Sequence, residues 1–185
     1  MTKGITMRHP LESVPAEYRK RSFFIFLFLT IVLFGLFRVL DEPLRTSAAP
    51  NGIVSFELAG APNKAEIMMA SWSDVAKYNA AFGLGIDYLF MPTYAIALAF
   101  GTLLAAGRHS GWIKSLGAVA GYGAFAAVLF DAVENFALFQ VLLGAIDSFY
   151  PTIAALCAVV KFGLLVFGFV YAVVGWLLPK KSSAR

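Results

Sequence analysis

Two carboxylates and an amide, Asp131, Glu134 and Asn135, interrupt the otherwise apolar run LFDAVENFAL. Their i, i+3, i+4 spacing puts them on one face of a helix. A carboxylate in apolar surroundings is costly unless it is paired, hydrogen-bonded or neutralised by a proton. Three more ionisable residues lie in or at the edge of apolar segments: Asp87, Lys161 and Arg38. Carboxylates beside an ammonium can bind a proton, a cation or an amine, and paired acids can do general acid–base work. No nucleophile–His pair, Gly-rich phosphate loop or His/Cys cluster accompanies them, so no catalytic residue and no metal ligand is assigned. His9 and His109 lie in polar segments and Cys157 is the single cysteine. That excludes a disulfide within the chain and argues against a haem or multi-ligand zinc site inside an apolar segment.

The elements that must carry these residues are membrane helices. Of 185 residues, 59% are hydrophobic and 14% charged, with a mean hydropathy of +0.75. A soluble domain has about a quarter of its residues charged. The net charge of +4 is no nucleic-acid signal, because the basic residues cluster near the ends of apolar segments. A spanning helix needs roughly 17 to 25 mostly apolar residues, and four segments qualify: 23–40, about 82–106, about 112–143 and about 152–178. The fold class expected is therefore all-α, an integral membrane bundle of four transmembrane helices. Its parts are an N-terminal tail (1–22), a membrane domain (23–178) with an outer loop at about 41–81, and a C-terminal tail (179–185).

Basic residues gather on one side of these spans: Lys3, Arg8, Arg19, Lys20 and Arg21 in the first tail, Arg108 and Lys114 between spans two and three, and Lys180, Lys181 and Arg185 at the end. The positive-inside rule places both termini in the cytoplasm. The first span reads as retained rather than as a cleaved leader, since Asp41, Glu42 and Pro43 follow it directly. In the outer loop, Pro50-Asn51-Gly52 signals a turn and IVSFEL (53–58) alternates like a short strand. Asn63 with Glu66 has the form of a capping box. Ile67, Met68, Trp72, Val75, Ala76 and Asn79 then follow at helical spacing, as in an amphipathic helix on the outer surface with Trp72 and Tyr78 at the interface. The loop is expected to cap the bundle; a lid or a docking surface is the alternative.

Short connections make spans two to four antiparallel neighbours, so residues equidistant from a turn share a height. Asp87 is then level with Asp131 and Glu134 about a turn near Ser110, and Glu134 with Lys161 about a turn at Asp147–Ser148. Asp87, Met91 and Tyr94 share a face, Tyr88 adjoins Asp87, and Pro92 frees the carbonyl of Tyr88 from its helical partner. The expected binding or proton/ion site is Asp87, Tyr88, Tyr94, Asp131, Glu134, Asn135 and Lys161, turned to the bundle interior because charges facing lipid cost too much. Arg38 with Asp87 or Asp41 is the expected outer ion pair. A network that merely fixes helix register competes with this reading. Gly117, Gly121, Gly163, Gly168 and Gly175 are read as helix-packing positions.

The runs PNGIVSFELAG, GIDYLFMPTY and DAVEN resemble a family of bacterial four-span integral membrane proteins to which no activity is attached. The resemblance covers most of the chain from Pro50 onward and transfers no function; the expected location is a bacterial plasma (inner) membrane. Small four-span multidrug transporters also embed a Glu, but in their first span and without a long outer loop. The leading expectation is a small non-enzymatic protein, an accessory or binding subunit of a membrane complex with a buried polar cluster. Alternatives are a proton- or cation-coupled transporter of a small molecule and a membrane enzyme acting on a lipid-like substrate through buried carboxylates. The expected partners are the lipid bilayer and a larger membrane complex or further copies of the chain, with no nucleic acid. The sequence names no cofactor.

Overall fold

The computed structural model describes residues 7–146 and 149–179. The turn at Asp147 and Ser148, and the basic residues Lys3, Lys180, Lys181 and Arg185, lie outside the described residues. Within them the protein is all-helical and has no strand: α1 (Ala16–Leu40), α2 (Ile53–Glu57), α3 (Pro62–Ser71), α4 (Asp74–Ala106), α5 (Trp112–Leu142) and α6 (Tyr150–Leu177). A 3₁₀ turn, Glu42–Leu44, follows α1. Helices α1, α4, α5 and α6 are each long and apolar enough to cross a membrane.

The ends of these helices follow from local chemistry. Glu17 in the first turn of α1 and Arg38 in its last complement the helix dipole. Ser73 caps α4: its Oγ accepts from the N–H of Ala76 at 3.3 Å, the N3 donor that a Ser N-cap satisfies. Gly144 ends α5 at φ +102°. The Ala145 N–H reaches Gln140 O and the Gly144 N–H reaches Val141 O, both at 3.0 Å, the bond pair of a Schellman cap.

The connection between α1 and α4 differs from its sequence reading. Residues 53–57 are helix, not strand. An isolated strand leaves its N–H and C=O groups unpaired, whereas a helical turn satisfies them internally. Gly52 makes the entry at φ +58°, and the Asp41 carboxylate accepts from the Ile53 N–H at 2.7 Å. Asn63 is no cap either. Pro62, with its fixed φ, starts α3 one residue earlier behind Ala61, without a side-chain cap, and Asn63 Oδ1 turns to the N–H of Lys64. The expected continuous amphipathic helix is two helices, broken at Trp72–Ser73.

The chain forms two compact units. One comprises Met1–Thr30, Pro92–Ala127 and Phe162–Arg185; the other comprises Ile31–Met91 and Val128–Lys161. The first packs on small residues. Ala105, Ala106, Ala120 and Tyr171 form its core with Ile113, Leu116 and Phe167. A Cβ on Gly117 would run into Ala106 and Tyr171, one on Gly168 into Leu98, and one on Gly175 into Ala105. Gly163 has no such neighbour, so it is not a packing position. Gly121 makes room not for a helix but for the ring of His9.

His9 is buried. Its Nδ1 accepts from the Leu11 N–H at 3.1 Å, so Nε2 carries the proton and donates to Thr102 Oγ at 3.1 Å. Arg19 secures the same segment by donating to the carbonyls of Val14 and Glu12. Burial pushes the His9 pKa down to about 4, with Glu12 opposing the shift and Arg19 adding to it.

In the second unit the connection between α1 and α4 is part of the core. Leu44, Ala49, Phe56, Ala59, Ala65 and Trp72 pack with Leu84, Leu138, Val141 and Ala154. Trp72 is buried rather than interfacial, its indole N–H donating to Leu44 O at 2.8 Å and its ring meeting Phe56 edge-on at 5.0 Å. Tyr78 is exposed. Thr152 Oγ donates to Gly60 O at 3.0 Å and fixes the connection to α6.

Candidate functional site

The site lies in the second unit and is centred on Lys161 of α6. Its ammonium donates to Asp131 Oδ1 and to Glu134 Oε1 of α5, both at 2.9 Å. A third carboxylate, Glu57 of α2, stands 3.9 Å from the same nitrogen. Glu134 is 0% exposed, Asp131 2% and Lys161 5%. All of these charges are thus held away from the surface, and short charge-assisted bonds are what make such burial tolerable.

Asn135 extends the network to α4. Its Nδ2 donates to Asp87 Oδ2 at 2.8 Å and to Leu84 O at 3.2 Å. Both amide hydrogens are therefore used, and Oδ1 has no partner. Glu134 Oε2 and Glu57 Oε2 are likewise buried without a hydrogen bond. The three orphaned atoms are all acceptors. A buried polar group without a partner costs about 1–3 kcal/mol, so this site is short of donors.

Of the residues expected at one height, Glu134 meets Lys161, and Asp87 meets Asn135, the neighbour of Glu134. Tyr88 is at the edge rather than in the site; it is half exposed and its hydroxyl donates to Ala132 O at 3.2 Å. Tyr94 is buried and belongs to the first unit. Asp41 pairs with Arg45 at 3.1 Å. Among the described residues no ion pair joins Arg38 to Asp41 or Asp87; the Asp41 carboxylate is taken up by Arg45 and the Ile53 N–H.

Glu57 is the member that sequence reasoning misses. In a strand it would share a face with Ile53 and Ser55, opposite Phe56. In a helix Phe56 and Glu57 lie three and four residues beyond Ile53 and turn the same way. The available signal is one acid between Phe56 and Leu58 in an otherwise apolar run. Burial pushes the Glu57 carboxyl above the usual carboxylate range, with Lys161 pulling it back and Asp131 and Asp41 adding to the rise.

Among the described residues no group of three or more His, Cys, Asp or Glu side chains is arranged to hold a metal ion. The arrangement can attract a positive charge, accept hydrogen bonds and exchange protons. No known protein family, characterised protein or solved structure matches the chain.

Proposed function

We propose that this is a small non-enzymatic integral membrane protein that works as a binding or accessory subunit, with the Lys161 cluster as its binding centre. The observation that carries the reading is the set of unpartnered, fully enclosed acceptors at Glu57, Glu134 and Asn135 beside an excess of carboxylates. A network serving only to fix helix register would be expected to close its own hydrogen bonds, since a half-satisfied buried network is worse than an apolar core. Helix α1 adds support: it has no buried residue, and Phe24, Phe28, Ile31 and Phe34 stand exposed along it. Such a helix suits lipid or a partner's transmembrane helix. In this reading the protein sits in a bacterial plasma membrane with both termini cytoplasmic, and α2 and α3 lie on the opposite side.

The test is to extract the tagged protein from its native membrane in mild detergent and identify what accompanies it by mass spectrometry. A stoichiometric protein partner is expected. Recovery of the chain alone, or only with copies of itself, would sink the accessory-subunit reading. A second reading, a proton- or cation-coupled transporter, draws on the same carboxylate excess. It predicts flux through reconstituted protein that Glu134→Gln abolishes.

A further inference from the structure

The buried acids around Lys161 outnumber the base. Glu57 comes from α2, Asp131 and Glu134 from α5, and all three pair with the Lys161 ammonium. Asp87 of α4 joins the same network through Asn135. With every carboxyl ionised, four negative charges would face one positive charge. Arg45, in the connection before α2, is engaged with Asp41 and its side chain is 40% exposed. Cys157, one turn before Lys161 on α6, is half-buried and adds no positive charge. The Tyr88 hydroxyl is committed to a backbone carbonyl. A weakly polar interior does not sustain such an excess: the group neutralises instead.

Hydrogen bonding leads to the same requirement independently. Glu57 Oε2, Glu134 Oε2 and Asn135 Oδ1 are acceptors without donors. A site lacking both positive charge and donor hydrogens is completed by protons, which supply the two together and need no cavity.

We propose that the Lys161 cluster is a proton-binding centre and that Glu57 is the carboxyl holding its exchangeable proton. This rests on reading the cluster as a binding centre and names its occupant. Glu57 is singled out by position. Asp131 and Glu134 each accept a hydrogen bond from Lys161 at 2.9 Å. Asp87 accepts from an amide. Glu57 Oε2 is 3.9 Å from the ammonium, beyond hydrogen-bond reach, and has no hydrogen-bond donor. It also sits on the five-residue α2 in the connection between long helices, whose entry is pinned by Asp41 and whose Phe56 leans on Trp72. On uptake, the Glu57 carboxylate becomes a neutral acid with one new O–H donor. On release, the proton leaves by the α2 side and the carboxylate returns to the field of Lys161.

The experiment is infrared spectroscopy of the full-length chain in lipid nanodiscs, following the carbonyl stretch of protonated carboxylic acids from neutral to alkaline pH. Wild type is expected to show this band at neutral pH, to lose it as pH rises, and to lose one carboxyl's intensity in Glu57→Gln. Asp87→Asn, Asp131→Asn and Glu134→Gln each keep the Glu57 band, so the assignment stands even if Glu57→Gln does not fold. Absence of any acid band at neutral pH in wild type would overturn the proposal. So would a band that survives in Glu57→Gln and vanishes in Asp87→Asn, or a stoichiometric organic amine released on denaturation in place of the band. A missing protein partner leaves the acid band unaffected, so the two readings fail separately.

Discussion

Replacing Lys161 by Met removes the ammonium at the centre of the site and leaves its acids facing each other. The variant loses two hydrogen bonds of 2.9 Å and a longer ion pair to Glu57. Breaking a buried pair by deleting one partner costs about 3–5 kcal/mol, because the other charge is stranded. For a chain of this length each kcal/mol moves the melting temperature by about 2–4 °C, so the expected loss is about 6–20 °C. Glu134→Gln should behave differently. The amide keeps an acceptor for Lys161, Asp131 stays paired, and the carboxylate excess falls, so the shift should stay within about 1 kcal/mol. Combining the two changes should cost less than the sum of the singles, because Glu134 is then no longer stranded as a charge. Thermal unfolding in one detergent, followed by helical circular dichroism, measures all four proteins. A Lys161→Met variant melting within about 2 °C of wild type would refute the account of the site as an enclosed, charge-coupled network.

Other expectations follow from the same contacts. Gly121→Ala puts a methyl group into the His9 ring and should destabilise by about 1–3 kcal/mol, with faster proteolysis near residue 9 as the readout. Asn135→Ala strips the donor from Asp87 and Leu84 O at about 1–3 kcal/mol for each stranded group, measurable in the same melting assay. His9 gives a pH dependence of definite sign. Its folded pKa of about 4 lies below the ordinary 6.5, so the unfolded chain binds the proton more readily. Its contribution is full above pH 6.5 and is lost as pH falls towards 4. Melting temperatures across that window should drop in wild type and drop less in His9→Gln.

The long elements were legible because apolar length alone encodes them. The span expected at 23–40 is the apolar part of a helix that begins at Ala16, and 82–106 continues a helix that begins at Asp74. The polar face of α5 was legible because i, i+3, i+4 spacing admits one geometry, and the pairing of Glu134 with Lys161 followed from equal distance to a turn. What was not legible depended on contacts distant in sequence. Ile53–Glu57 is helical because the Asp41 carboxylate, a dozen residues upstream, meets its first N–H. Trp72 left the interface because Leu44 O and Phe56 offered its ring a buried place. His9 looked like a tail residue, yet the missing side chain of Gly121 on α5 and the hydroxyl of Thr102 on α4 create its pocket. Glu57 escaped for the first of these reasons: without the helix, its side chain points the other way.

The central claim, that the Lys161 cluster is a binding centre rather than helix glue, is tested most directly by the infrared titration of the wild-type chain in lipid nanodiscs. The account predicts a protonated-carboxyl band at neutral pH that disappears as pH rises. Folded wild-type protein with no such band at neutral pH would contradict it.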